Sequence, residues 1–332
     1  MITRRIFTAG AATLLAAGPG LKRAMAATAS WDMSTVWPDG NFHTQNAMAF
    51  AEQVRKQTEG AVNITVKAGG QLGFKGPEHL RAVRDGLVPL ADVLNIQQVG
   101  DEPFMGVESI PFLAGSIEQL KILHKYVRPE YEKIAARNNQ KILYIVPWPT
   151  QYLHLKVKVG DIDGLKNIKI RVPDKNAVDM LNMIGMAPVM IPWGETIPAL
   201  ASGAVAGVST SAVSGVDGKF WEFLKYIYPT NHVWSSQMLT VNLDSWKTLT
   251  EDQQQMVAGI AAKMEPDFWT NSLKADVDSL NRLKEGGMEV VPVPDAMMTA
   301  IRDRTAPLLD AFLKRVPSAD KPVRAYLADI RR

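Results

Sequence analysis

Five histidines, a hydroxyl-rich run and a glycine cluster are the features of this 332-residue chain that could do chemistry unaided. His43, His79, His124, His154 and His232 could ligate a metal or relay protons. None stands three or four residues from another, the spacing that sets two ligands on one helical face, so each reads as a surface or satisfied core histidine. Ser209-Thr210-Ser211 lacks the flanking glycines that lift a nucleophilic serine onto a tight strand-to-helix turn, and Ser318-Ala319-Asp320-Lys321 is a chance-level match to a serine–lysine pair. Gly69-Gly70-Gln71-Leu72-Gly73 has neither the lysine and spacing of a phosphate loop nor the dinucleotide fingerprint, and reads as a turn. Zero cysteines remove disulfides, thiolate nucleophiles and iron–sulfur ligation together. No catalytic residue, metal ligand or cofactor is assigned.

Charge says as much about partners. Residues 1–26 carry Arg4, Arg5, Lys22 and Arg23 and no acid, around an apolar stretch from Ile6 to Gly18. That stretch is shorter than the roughly 20 residues a bilayer span needs. Thr3-Arg4-Arg5-Ile6-Phe7 fits a twin-arginine export signal, with small-x-small cleavage patterns ending at Ala26 or Ala29. Its removal takes four of the 37 basic residues and leaves 33 against 34 acidic ones, so the apparent basicity belongs to the signal. Neither nucleic acid nor an anionic membrane surface has an electrostatic claim on the rest.

The elements that must position a site alternate in type. From Trp31 onward, short β-like runs and amphipathic segments follow one another, which predicts α/β layering. Strands are expected over 31–37, 62–66, 91–95 and 141–146, with helices lined by Ala47, Phe50, Ala51 and Val54, from Pro77 to Gly86, and over 117–138 with a break at Pro129. The second half repeats the plan through 153–159, 169–172, 188–191 and 206–210, and the run 234–241 returns toward the first half. An unbroken helical pattern over 251–285 would extend about 50 Å and brace both halves. A final strand is expected near 288–293 and a helix over 300–315.

The segments Gly164-Leu165-Lys166-Asn167-Ile168-Lys169-Ile170-Arg171-Val172-Pro173, then Ile184 to Glu195 and Ala199 to Gly207, carry a resemblance in their order and spacing. With Trp37-Pro38-Asp39-Gly40-Asn41-Phe42-His43, Gly69 to Gly73 and Ile110-Pro111-Phe112-Leu113, the chain resembles the DctP-type solute-binding proteins of TRAP transporters over nearly its whole mature length. The resemblance implies an α/β, two-lobed periplasmic binding protein fold with a long helix spanning both lobes and a cleft that shuts on its ligand without chemistry. Lobe I would comprise 27–152 with about 240–285, and lobe II 153–239 with about 286–332. The implied partners are a small organic acid anion and the small and large integral membrane subunits of a transporter, in the periplasm, after cleavage of the signal.

In that family an arginine at the position of Arg171 grips the substrate carboxylate. A planar, five-donor guanidinium can make two parallel charge-assisted hydrogen bonds to one carboxylate, which lysine cannot. Two departures narrow the ligand. Many relatives place Asp-Gly-Ala-Glu-Asn where this chain has Ala206-Gly207-Val208-Ser209-Thr210, and often an arginine where Leu153 stands. A monocarboxylate with an aromatic, 2-oxo or 2-hydroxy body is therefore expected. Phe42, Trp148, Tyr152 and Trp234 are candidate walls, and Gln97, Gln98, Thr210, Ser211 and Gln237 candidate hydrogen-bonding partners. Trp193 and Glu195 match the family pattern and read as structural. The alternatives are a binding module that feeds a sensor, or an enzyme on the same fold.

Overall fold

Strand and helix alternate as the hydrophobic periods require, and the computed structural model describes residues 29–331. The export segment expected over 1–26 lies outside the described residues. In chain order come β1 (Ala29–Ser34), α1 (Phe42–Gln57), β2 (Val62–Lys67), α2 (His79–Arg84), β3 (Leu90–Leu94), α3 (Ile117–Arg137) and β4 (Gln140–Pro147). Next are β5 (Tyr152–Leu155), β6 (Lys169–Val172), α4 (Lys175–Met183), β7 (Ala187–Met190), α5 (Trp193–Ala201), β8 (Gly207–Thr210), α6 (Ala212–Asp217) and β9 (Tyr226–Tyr228). The last third holds β10 (Ser236–Asn242), α7 (Leu243–Lys247), α8 (Glu251–Glu285), β11 (Glu289–Val290), α9 (Asp295–Thr305), α10 (Pro307–Arg315) and α11 (Asp320–Asp329).

Two sheets result. The first runs in the order β2-β1-β3-β10-β4, the second β11-β9-β5-β8-β6-β7. The chain leaves the first sheet after β4 and returns in β10, which pairs antiparallel with both β3 and β4. Two connections therefore join the halves near the ends of β4 and β10, where a cleft can pivot. Gly69, Gly70 and Gly73 adopt φ of 61°, 75° and 81°, so the glycine cluster forms the turn its spacing suggested.

The long helix forms as its pattern predicts. Thr250 and Gln253 make a reciprocal capping box at its start, and its 35 residues extend about 52 Å. Trp269 Nε1 donates to Ile145 O of the first sheet at 2.8 Å, while Asp276 accepts from Tyr152 Oη of the second at 2.7 Å. Farther along, Leu283 is buried among Val208, Ile227 and Phe220. One rigid element is thus fastened to both halves. α3 differs from expectation, since it continues through Pro129. A proline forfeits one hydrogen bond, but Leu120, Leu123, Val127, Tyr131 and Ile134 bury one continuous face in the first core and hold both turns in line.

The tail divides between the halves. Met297 and Ile301 of α9 enter the second core. Phe312, Val316, Val323 and Tyr326 instead pack with Leu120 and Leu123 in the first core, and Tyr326 Oη donates to Leu113 O at 2.8 Å. The outward apolar face of α3 needs a cover, and α11 supplies it.

The first sheet carries a buried acid in its middle. Asp92 on β3 is 3% exposed, and its Oδ2 accepts from Thr35 Oγ1 at 3.3 Å. Burial pushes its pKa up to about 8. A raised folded-state pKa stabilises the fold fully below the unfolded value, and that contribution is lost as pH rises through 8. Asp92→Asn should therefore be more stable than the parent at pH 8, on the order of a few kcal/mol, with the gap closing as pH falls toward 4. Urea denaturation of both proteins across that range measures it, and a gap that grew on acidification would refute the assignment.

Candidate functional site

β6 aims Arg171 at the gap between the sheets. The strand lies parallel to β7 and β8 and ends at Pro173, and Asp174 then caps α4 by accepting from Asn176 N at 2.8 Å and Ala177 N at 3.2 Å. Arg171 thus stands near the carboxyl end of parallel strands, where open α/β sheets hold ligands. It is 2% exposed, and its Nε donates to Ile191 O at 2.8 Å. The guanidinium carbon lies 6.0 Å from the Trp193 ring centroid. Burial draws its pKa down to about 10 while Asp174 pushes it back up, so it remains cationic at neutral pH.

The space around it is walled from both halves. A small cavity of about 20 Å³ lies between Trp37, Ile96, Gln97 and Trp148 on the first side and Arg171, Trp193, Thr210 and Ser211 on the second. Among the described lining residues Arg171 alone carries a charge. The indoles of Trp37 and Trp148 meet edge to face at 4.6 Å, and Trp37 lies 5.7 Å from Trp193 across the gap. Trp148 is fixed in place, its N donating to Ser235 O at 2.8 Å and its Nε1 to Gln237 Oε1 at 2.9 Å. Gln237 Nε2 in turn donates to Asp92 O at 2.7 Å. Trp37 Nε1 has no hydrogen-bond partner among the described residues.

Of the candidates from sequence, Arg171, Trp148, Gln97, Thr210 and Ser211 line this cavity. The others lie elsewhere. Phe42 stands behind Trp148, 5.4 Å from it, and Gln237 acts through Trp148 from within β10. Gln98 donates to Gly76 O and Leu94 O at 3.0 and 3.1 Å and lines a separate groove with Arg81 and Lys175. Tyr152 turns toward α8, and its ring sits in the second core. Trp234 is a core residue of the first half, because its N donates to Glu108 O at 3.2 Å and its Nε1 to Ala114 O at 2.8 Å. Its position beside a crossover was a correct cue, but its backbone pairing turns the ring away from the gap.

Trp37, Gln151, Trp193 and Ser235 line the cavity without having been singled out as contacts. Trp37 follows the end of β1 by three residues, so the strand-end rule could have found it. The histidines are buried and serve the scaffold. His154 Nε2 lies 3.2 Å from Thr210 O and His232 Nε2 3.0 Å from Ser209 Oγ, and burial draws their pKa values down to about 4 and about 3. They stay neutral at pH 7 and tie β8 to its neighbours.

Two polar contacts join the halves. Lys75 Nζ reaches Glu195 Oε1 at 2.7 Å, and Asn41 Nδ2 donates to Asp217 Oδ2 at 2.6 Å. Glu195 therefore bridges the halves, a role that its motif did not reveal.

The family model for bacterial extracellular solute-binding proteins, family 7 (DctP), matches residues 33–315. An extracytoplasmic solute receptor of Bordetella pertussis that binds pyroglutamic acid superposes with a TM-score of 0.87 at 27% identity, over 90% of this chain and 99% of its own. A marine metagenome TRAP solute-binding protein, specific for and holding co-purified pyroglutamate, gives 0.86 at 27% identity over 91% and 99%. A monocarboxylate 2-oxoacid-binding periplasmic protein of Nostoc is 25% identical over 287 residues, 81% of this chain and 75% of its own. The fold is that of the two-lobed TRAP receptors, as the motifs implied.

The support beneath Trp148 can be tested directly. Gln237→Leu orphans the Trp148 indole N–H and one acceptor on β3, and should lower stability by about 1–3 kcal/mol. Equilibrium denaturation reads the loss, and an unchanged midpoint would mean that Trp148 is held by packing alone.

Proposed function

This chain belongs to bacterial extracellular solute-binding protein family 7, and from that membership and its cleft we propose a periplasmic receptor that captures a compact organic monocarboxylate and presents it to the small and large membrane subunits of a TRAP transporter. The observation that carries the reading is Arg171, a cation buried between two lobes with one of its five donors committed to Ile191 O. A charge kept from water needs an opposite charge, and a planar fork suits a carboxylate. Thr210 and Ser211, at the end of the adjacent β8, add hydroxyls on the same side.

The rest of the cavity favours one anionic group over two. Leu153, aligned where relatives often place a second arginine, is 1% exposed within the second core. Apolar walls and amide side chains then suit a neutral remainder. Pyroglutamate and small 2-oxo acids, the ligands named for the similar receptors, both have this form. The ligand is held and released unaltered. Closure brings Trp37 and Trp148 over Arg171 and engages Lys75 with Glu195, and the membrane subunits recognise that closed form. The basic leader directs export and is then cleaved from the mature chain.

Thermal shift against pyroglutamate, 2-oxo, 2-hydroxy, aromatic and dicarboxylic acids tests the reading, since ligand at 100 times its dissociation constant raises stability by about 2.7 kcal/mol. Arg171→Ala should weaken the best hit by about one to two decades, and Arg171→Lys should restore only part of it. Undiminished binding by Arg171→Ala, or dicarboxylates as the sole hits, would overturn it.

A further inference from the structure

We infer that the indole N–H of Trp37 selects the ligand, admitting carboxylates that carry a second, neutral hydrogen-bond acceptor and disfavouring acids with a purely hydrocarbon body. The inference rests on the receptor reading and adds the half of the ligand that Arg171 does not touch. Trp37 is 4% exposed and lines the cavity, yet its Nε1 is buried without a partner. Other indoles of the chain show what the fold ordinarily provides. Trp148 donates to Gln237 Oε1 at 2.9 Å, Trp234 to Ala114 O at 2.8 Å and Trp269 to Ile145 O at 2.8 Å. A buried donor left unmet is costly, and one in a ligand cavity is met when the ligand arrives.

Indole nitrogen donates only, which fixes the complementary group as an acceptor. Its place in the fold fixes which end of the ligand supplies it. Arg171 and Thr210 belong to one sheet, with Ser211 just past the end of β8, and serve the carboxylate together, whereas Trp37 follows β1 of the other. The Trp193 ring lies between, 6.0 Å from the Arg171 guanidinium carbon and 5.7 Å from the Trp37 ring. Trp37 thus meets the end of the ligand remote from the carboxylate. A lactam or keto oxygen there satisfies it, and a methylene leaves it stranded.

The test compares pyroglutamate with cyclopentanecarboxylate, five-membered rings with one carboxylate that differ in the lactam group, by calorimetry on the parent, Trp37→Phe and Arg171→Ala. The parent should bind pyroglutamate about tenfold or more tightly than the hydrocarbon acid, and Trp37→Phe should bring the two affinities to near equality. A ratio that survives Trp37→Phe, or an equal loss for both acids, would sink the role of Trp37 while leaving the receptor reading intact. The thiolactam analogue, a poorer acceptor, should weaken binding to the unmodified protein, which keeps the question answerable if Trp37→Phe folds badly; equal affinity for lactam and thiolactam would count against the donor. If neither acid binds the parent, the lactam-selecting role of Trp37 falls while the wider acid screen still decides the receptor reading; if Arg171→Ala binds both unchanged, the receptor reading fails and the inference goes with it.

Discussion

A guanidinium withdrawn from water is the constraint around which this molecule is arranged. Arg171 sits near the end of a short parallel strand, 2% exposed, and the protein satisfies it with a backbone carbonyl and the face of an indole. Removing a charge from water costs several kcal/mol unless an opposite charge and further hydrogen bonds compensate. In the receptor proposed above, the compensating charge comes with the ligand. At a pKa of about 10 the guanidinium keeps its charge at any physiological pH.

Everything near this group is built to keep the gap between the lobes dry and shaped. Trp148 is locked by Gln237, which is itself tied to the backbone of the central strand β3, so the wall's position is transmitted from the sheet. The neutral histidines His154 and His232 fasten β8, whose end carries Thr210. The long helix α8 bonds to both sheets and so ties the two halves together. Lys75 with Glu195 and Asn41 with Asp217 then join surfaces that lie far apart in sequence. An exposed pair such as Lys75–Glu195 contributes little energy by itself, whereas the rings of Trp37 and Trp193 also meet across the gap.

Sequence reasoning succeeded where a physical signal is local. The helical pattern over 251–285 matches α8 in its bounds, and the strand expected over 169–172 is the one that carries Arg171. It succeeded less well for the aromatic wall. Trp148 and Trp234 each sit beside a crossover and were equal candidates, but only one faces the cavity, because the backbone of Trp234 pairs with Glu108 and turns its ring into the first core. Tyr152 was similarly claimed by α8 through Asp276. Such choices depend on partners more than a hundred positions away.

By itself, the sequence determined the alternation of strand and helix, the absence of cysteine chemistry, the single arginine at a strand end and the motif order that identifies the family. These are properties of neighbours along the chain, where periodicity, capping and residue type act over a few residues. The tertiary structure alone decided which side chains meet in the gap, that Trp37 enters with its N–H unspent, that Glu195 spans the lobes, and that the tail divides between both cores. Those outcomes follow from packing two sheets against one long helix, and packing is set by the shapes of surfaces that no single stretch of chain contains.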